Sequence, residues 1–130
     1  MNSRRSMLLM LSLTLAGAGL TLALYPRLPD RVPIHWNIHG QADGWSGRSG
    51  AWMLPAFMLG MLLLAFALPA LSPRQYRIDG FREPYWKVMV WIQGLFLYLH
   101  AISLWAAMSP SLDSGRWVVA GLMFFMAAVG

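Results

Sequence analysis

The chain contains no cysteine, and few of its 130 residues carry a charge. Without cysteine there is no disulfide framework, no thiolate nucleophile and no cysteine-ligated zinc. Asp, Glu, Lys and Arg make up 12% of the residues, whereas a soluble domain has about 25%. Only five residues are acidic, which leaves little for acid–base catalysis, so we expect neither an enzyme nor a cofactor. A hydrophobic content of 58% favours a membrane protein.

The chain carries ten Lys and Arg residues and a formal net charge of +5, but we do not interpret this as a nucleic-acid surface. The basic residues lie in short segments between long apolar runs. That distribution is typical of membrane topology and differs from the continuous basic stripe that contacts phosphates. We therefore expect contact with membrane lipid and no direct contact with nucleic acid.

Four apolar runs free of charged residues indicate the spans: 7–24, 51–71, 88–108 and 117–130. A spanning helix needs about 20 residues, so the first three qualify and the fourth is partial. The predicted fold is an all-α, multi-span helical bundle forming a single membrane domain over 1–130. An outer loop occupies 25–50 and an inner loop 72–87. The short fourth run suggests that the chain is a C-terminally truncated piece of a longer protein.

The distribution of basic residues predicts a cytoplasmic N-terminus. Six Lys and Arg then lie on the inner side and four on the outer side, in accordance with the positive-inside rule. Arg4 and Arg5 also resemble a twin-arginine export signal, but the apolar run continues to residue 24, longer than such signals usually are. We therefore interpret the first run as a span, and place the 25–50 loop outside.

Small residues recur at helical spacing on two spans. On the first span they are Ser12, Ala16, Gly19 and Ala23, and on the second Ala56 and Gly60. Helices in lipid associate through close packing at small residues, so these positions could form the contact faces. The alternative, which the residues leave open, is that Ala and Gly are simply common in spans.

The outer loop is rich in proline, histidine and tryptophan, and one part of it alternates between apolar and polar residues. Val32, Ile34, Trp36 and Ile38 alternate with Pro33, His35, Asn37 and His39. This period of two predicts an extended segment, with His35, Asn37 and His39 on its polar face. Asp43 and Gly44 then suggest a turn. We expect an ordered loop that could form a β-hairpin.

The loop resembles the SdpI-type bacterial immunity proteins, in the N-terminal membrane domain of unknown function that they carry. The motif is Leu28-Pro29-x-x-Val32-Pro33-x-His35-Trp36-Asn37-x-x-Gly40-x-x-Asp43-x-Trp45-x-x-Arg48, placed directly after a first span. The resemblance covers roughly residues 7–108. Arg48 stands where a lysine is common in the family, which preserves the charge.

The resemblance implies a multi-pass protein of the bacterial plasma (inner) membrane that protects against a secreted peptide toxin. It also implies a possible partner at the inner face, a transcriptional repressor captured when toxin is bound. Members usually continue past the fourth span into a segment with an Arg-rich loop, and we expect that segment to be missing from this chain. The residues expected to bind ligand are His35, Trp36, Asn37, Gly40, Asp43, Trp45 and Arg48.

The residues alone leave two other functions open, and the first depends on a metal site in the outer loop. His35, His39 and Asp43 could hold a zinc ion if the segment were extended, which would make the chain a membrane metalloenzyme. The loop has no Glu to act as the general base of a zinc peptidase, and turn hydrogen bonds explain the histidines more simply.

The third span carries polar residues at membrane depth. Gln93, His100 and Ser103 share one helical face at spacings of seven and three. Such residues mark either a functional site, here a proton-linked transporter or channel subunit, or interhelical hydrogen bonds. We favour the hydrogen bonds. The oligomeric state is not predicted.

Overall fold

The computed structural model describes residues 3–71 and 80–130, and within them the chain forms four helices. They are α1 (Ser3–Leu24), α2 (Met53–Leu71), α3 (Arg82–Met108) and α4 (Ser114–Val129). The first three, with their adjoining turns, are long and apolar enough to cross a membrane, and α4 is a shorter apolar helix. The predicted fold class is therefore confirmed, including the shorter fourth helix and a small β-hairpin.

The helices extend beyond the apolar runs that predicted them. Helix α3 begins at Arg82, six residues before the predicted start at 88, so the second part of the predicted inner loop is helical. Its first part, 72–79, lies outside the described residues. Tyr85 in the added turn donates a hydrogen bond from Oη to the Ala65 carbonyl oxygen at 2.9 Å. An apolar run marks the lipid zone, whereas a helix continues as long as its backbone bonds are made.

The chain between α1 and α2 forms an antiparallel hairpin. Its strands are β1 (Arg31–Trp36) and β2 (Ala42–Gly47). Short 3₁₀ turns at Tyr25–Arg27 and Arg48–Trp52 connect it to the helices. The hairpin lies at one end of the bundle, which we call the hairpin end.

Helix α3 is the centre of the bundle and packs against α1, α2 and α4. A buried cluster at the hairpin end joins the hairpin to the helices and consists of Leu28, Val32, Ala51, Leu104 and Ala107. A second cluster at the opposite end joins α1, α2 and α3 and consists of Met10, Leu62, Ala65 and Trp86. The hairpin is thus part of the packed structure.

The small-residue faces predicted for the first two spans are wrong. Ser12, Ala16, Gly19 and Ala23 are all exposed on the outside of the bundle, as are Ala56 and Gly60. The buried face of α1 instead carries Ser6, Met10, Thr14, Gly17 and Thr21. The Thr14 and Thr21 hydroxyls bond to carbonyl oxygens of their own helix and also to Gln93 and His100 of α3, and this face of α1 is the buried one. The Ser12 hydroxyl donates to the Leu8 carbonyl oxygen of its own helix at 2.8 Å, which allows it to face outward.

Candidate functional site

The hairpin turn lies at Asn37–Gly40, and the turn predicted at Asp43–Gly44 is wrong. The Asn37 side-chain oxygen accepts hydrogen bonds from the backbone N–H groups of His39 (2.9 Å) and Gln41 (3.0 Å). Gly40 adopts a φ of +74°, a conformation that favours glycine. The strand alternation therefore stops at Trp36, and Asn37 and His39 lie in the turn instead of on a strand face with His35.

Among the residues that the structure describes, two side-chain hydrogen bonds attach the hairpin to the helices. The Ser103 hydroxyl of α3 donates to the carbonyl oxygen of Pro33 at 2.8 Å. The indole N–H of Trp36 donates to the hydroxyl of Ser114, the first residue of α4, at 2.9 Å. Each bond satisfies a polar group beside apolar surroundings, so both strengthen the register of the hairpin on the bundle.

The tip of the hairpin lies directly on the start of α4. A Cβ atom on Gly115 would overlap the backbone of Gly40, including its carbonyl oxygen. Gly115 is buried, and the atoms that its Cβ would meet belong to the Gly40 backbone, so no side chain could rotate away to make room. Only glycine permits so close an approach of two backbones, so Gly40 and Gly115 form a direct contact between the hairpin and the fourth helix.

His35 and Asp43 form a polar pair on the exposed side of the hairpin. The His35 Nδ1 and Asp43 Oδ1 atoms are 2.5 Å apart, and the side chains are 69% and 44% exposed. Gly44, the strand partner of His35, keeps the space open, because a Cβ there would lie 2.6 Å from the His35 Cβ. Both side chains are therefore held in one orientation while remaining accessible to a ligand.

The other predicted site residues have different surroundings. Arg48 Nη2 lies 2.9 Å from Asp30 Oδ1, which attaches the end of the hairpin to its beginning. Trp45 is 47% exposed, and the guanidinium carbon of Arg31 lies 5.8 Å from its ring centroid. Arg48 thus has a stabilising partner within the chain, whereas Trp45 offers an open aromatic face beside a cation.

The proposed zinc ligands do not assemble. Among residues 3–71 and 80–130, no group of three or more His, Asp or Glu side chains is placed to hold a metal ion. His35 and Asp43 are paired with each other, and His39 lies in the turn, where its backbone N–H bonds to Asn37. Of the three candidate zinc ligands, only His35 and Asp43 lie together, as an exposed pair.

Gln93 and His100 form two hydrogen-bonded levels between α1 and α3. Gln93 Nε2 donates to Thr14 Oγ1 and to the Met58 carbonyl oxygen of α2, both at 2.8 Å. His100 Nε2 lies 2.8 Å from Thr21 Oγ1. In each of the pairs Thr14–Gln93 and Thr21–His100, the two residues are 79 positions apart along the chain. The two helices therefore run in parallel, and residues seven apart on one meet residues seven apart on the other.

The Thr21 hydroxyl lies close to three polar groups. It is 3.2 Å from the Gly17 carbonyl oxygen and 3.4 Å from that of Ala51, in addition to its contact with His100 Nε2. Gln93 Oε1, in contrast, is buried without a partner among the described residues.

One comparison with known proteins found a match to part of this chain. Residues 12–59 match the family model of a domain of unknown function, DUF1648. No curated protein and no solved structure matches the chain.

The DUF1648 segment contains most of α1, the whole hairpin and the first turns of α2. His35, Asp43 and Thr21 therefore lie inside it, whereas Gln93 and His100 lie on α3 outside it. The expected ligand residues are not a single cluster. His35 and Asp43 are paired outward, Trp36 and Gly40 face α4, and Asn37 and Arg48 bond within the hairpin.

Sequence reasoning missed several residues of the site: Thr14, Thr21, Ser114 and Gly115. One signal could have found the first two. Thr14 and Thr21 are seven residues apart, as are Gln93 and His100, and polar residues at the same spacing on two spans can be matched. No local signal pointed to Ser114 and Gly115, because their partners lie more than 70 residues away along the chain.

Proposed function

We propose that this chain is a non-enzymatic, multi-pass protein of the bacterial inner membrane that recognises a secreted, membrane-active peptide toxin. The hairpin end faces outward and the N-terminus is cytoplasmic. The DUF1648 match supports the proposal, since this domain is found in SdpI-like membrane proteins. The observation that carries it is the exposed His35–Asp43 pair on a hairpin that is hydrogen-bonded to α3 through the Pro33 carbonyl and to α4 through the Trp36 indole.

A pre-ordered recognition surface suits this role. A ligand that meets an already folded loop does not have to offset the entropy of ordering it. The His35–Asp43 pair presents a carboxylate oxygen and a ring nitrogen for polar contacts, and Trp45 adds an aromatic face. A toxin peptide with polar and apolar side chains can use both kinds of contact.

The same proposal includes signalling to the inner face through the contact between the hairpin and α4. The hairpin tip contacts the start of α4 at Gly115, and Trp36 bonds to Ser114. A ligand that shifts the hairpin would therefore act directly on a helix that leads to the opposite face. Capture of a repressor at the inner face would depend on such a movement of α4.

The alternative of a proton-linked transporter would use the Gln93–His100 face. Both residues are almost fully buried, and they bond to α1 and α2. These bonds favour a role in helix association, worth about 0.6–2 kcal/mol each. Loss of a pH-dependent flux in His100→Ala is the result that would revive the transporter.

The variants His35→Ala and Asp43→Ala are expected to lose toxin protection while inserting normally. A hydrogen bond to a charged group contributes about 1.5–3 kcal/mol, so the peptide should bind about 10–100-fold more weakly. The measurement is survival of a sensitive bacterium across a dilution series of the toxin, at matched protein levels in the membrane. His39→Ala is the matched control, since His39 is exposed but has no acidic partner in the described structure, and it should protect. Full protection by both pair variants would refute the proposed site.

The orientation can be tested by cysteine labelling, because the chain has no cysteine of its own. Ile38 in the hairpin turn is 96% exposed and Phe81 at the opposite end is 72% exposed. In intact cells, a membrane-impermeant maleimide should label Ile38→Cys and leave Phe81→Cys unlabelled. After lysis both should react. The reverse pattern would place the hairpin in the cytoplasm and exclude recognition of an external toxin.

A further inference from the structure

A cleft lies between the hairpin and the connection from α3 to α4. Its volume is about 520 Å³. The rim carries the polar side chains of Arg31, Gln41 and Asp113, and the floor is formed by Ala106, Ala107 and Leu112. A concave site with an apolar floor and a few polar groups at its edge is the usual form of a small-ligand site.

The charges at the hairpin end leave Arg31 available to bind an anion. Each acid at this end already has a polar partner: Asp43 is hydrogen-bonded to His35, and Asp30 and Asp113 form ion pairs with Arg48 and Arg116. Arg31 is exposed and, in the part of the chain that the structure describes, has no acidic partner. Its guanidinium group lies beside the ring of Trp45, which also lines the cleft. A ligand that balances the charge of Arg31 at the rim of the cleft would therefore be an anion.

The level of the cleft along the membrane-spanning helices indicates which kind of molecule supplies the negative charge. Ala106 and Ala107 belong to the last turn of α3, a helix long enough to cross the membrane. Tyr25 and Trp52 pair at the same end with ring centroids 6.4 Å apart. Tyrosine and tryptophan are enriched at the headgroup level of membranes, which favours a position of the cleft near the lipid phosphates.

We propose that this cleft binds the headgroup of one anionic phospholipid. The Arg31 guanidinium donates to the phosphate oxygens, Trp45 packs against the headgroup, and the alanine floor contacts the glycerol and upper acyl carbons. Arginine suits this role because its planar group donates two parallel hydrogen bonds to phosphate. The cleft shares Trp45 with the proposed toxin surface, but Arg31 and the alanine floor belong to the cleft alone, so lipid binding can be measured without toxin.

The test compares the thermal stability of the purified full chain in micelles doped with phosphatidylglycerol or with phosphatidylcholine of the same acyl chains. A ligand that binds the folded state raises the melting temperature as its concentration rises. The wild type should be stabilised by phosphatidylglycerol. Arg31→Gln should weaken this apparent affinity about tenfold, because it removes a hydrogen bond between two charged groups, which contributes more than the general attraction of one basic residue.

Arg27→Gln is the matched control. Arg27 is also exposed and without an acidic partner in the described residues, but it does not line the cleft. It should keep the affinity for phosphatidylglycerol. Ala106→Leu fills the floor without changing charge, and it should lower the affinity as Arg31→Gln does; if it fails to fold, the two arginine variants decide.

Three results would overturn the proposal. Equal weakening by Arg31→Gln and Arg27→Gln would mean general surface electrostatics instead of a cleft. The absence of any preference for phosphatidylglycerol would exclude an anionic lipid. Equal stabilisation by inorganic phosphate in phosphatidylcholine micelles would assign the site to a free anion.

Discussion

Replacing Gly115 by alanine is expected to detach the hairpin tip from α4. The added Cβ would overlap the Gly40 carbonyl oxygen, and the contact is backbone against backbone, so no side chain can move aside. Gly40 is itself held at a positive φ by the turn, which limits its own adjustment. Overpacking costs about 1–3 kcal/mol in ordinary cores, and we expect the upper end of that range here. If the hairpin is the toxin sensor, protection should fall with it.

Hydrogen exchange of the backbone amides of β1 and β2, measured in detergent, checks this prediction. Exchange should accelerate throughout the hairpin of Gly115→Ala, while the centres of α1 and α3 remain protected. Gly47→Ala is the matched control, because it makes the same change within the hairpin, a Cβ there meets nothing within 4 Å, and its φ of −63° suits alanine. Similar exchange in the two variants would show that the Gly40–Gly115 contact does not hold the tip.

Replacing Gln93 by alanine is expected to loosen the middle of the bundle. The change removes the hydrogen bonds to Thr14 and to the Met58 carbonyl, and it leaves a cavity where three helices meet. Truncating a buried side chain of this size costs about 2–5 kcal/mol in cores, and interhelical bonds add about 0.6–2 kcal/mol each. We expect a total loss of about 3–4 kcal/mol, because the unpartnered Gln93 Oε1 is removed as well.

Reversible unfolding in mixed detergent–dodecyl sulfate micelles measures this loss. Gln93→Leu preserves most of the volume and also removes the unpartnered oxygen, so it should lie within about 1 kcal/mol of the wild type. Leu15→Ala is the control on the outer face of α1, where the side chain is 62% exposed, and it should have little effect. A loss in Gln93→Ala no larger than in Leu15→Ala would mean that Gln93 does not join the helices.

Much of the fold could be predicted because membranes impose simple local rules. Apolar runs free of charge revealed the three long helices and the short fourth helix. The period of two from Val32 to Trp36 revealed β1, since alternation reports which face is buried wherever the chain is extended. Within the site, His35 and Asp43 were both selected, although their pairing with each other was not.

The errors arose where a local pattern competed with a distant partner. Asp43–Gly44 is a strong turn signal, yet it lies in β2, because Asn37 organises the turn earlier and Asp43 pairs across the hairpin with His35. Small residues on α1 predicted its contact face. The inward face is instead the one where Thr14 and Thr21 find partners on α3.

The sequence by itself determined that this is a multi-span helical membrane protein with an ordered loop after its first helix. Length, hydropathy and strand alternation depend on neighbouring residues, so they can be read along the chain. Only the tertiary structure decided which side chains meet: Thr21 with His100, Trp36 with Ser114, and Gly40 with Gly115. The physical reason is that polar groups and close backbone contacts in a membrane protein are satisfied between helices, by residues distant in the chain.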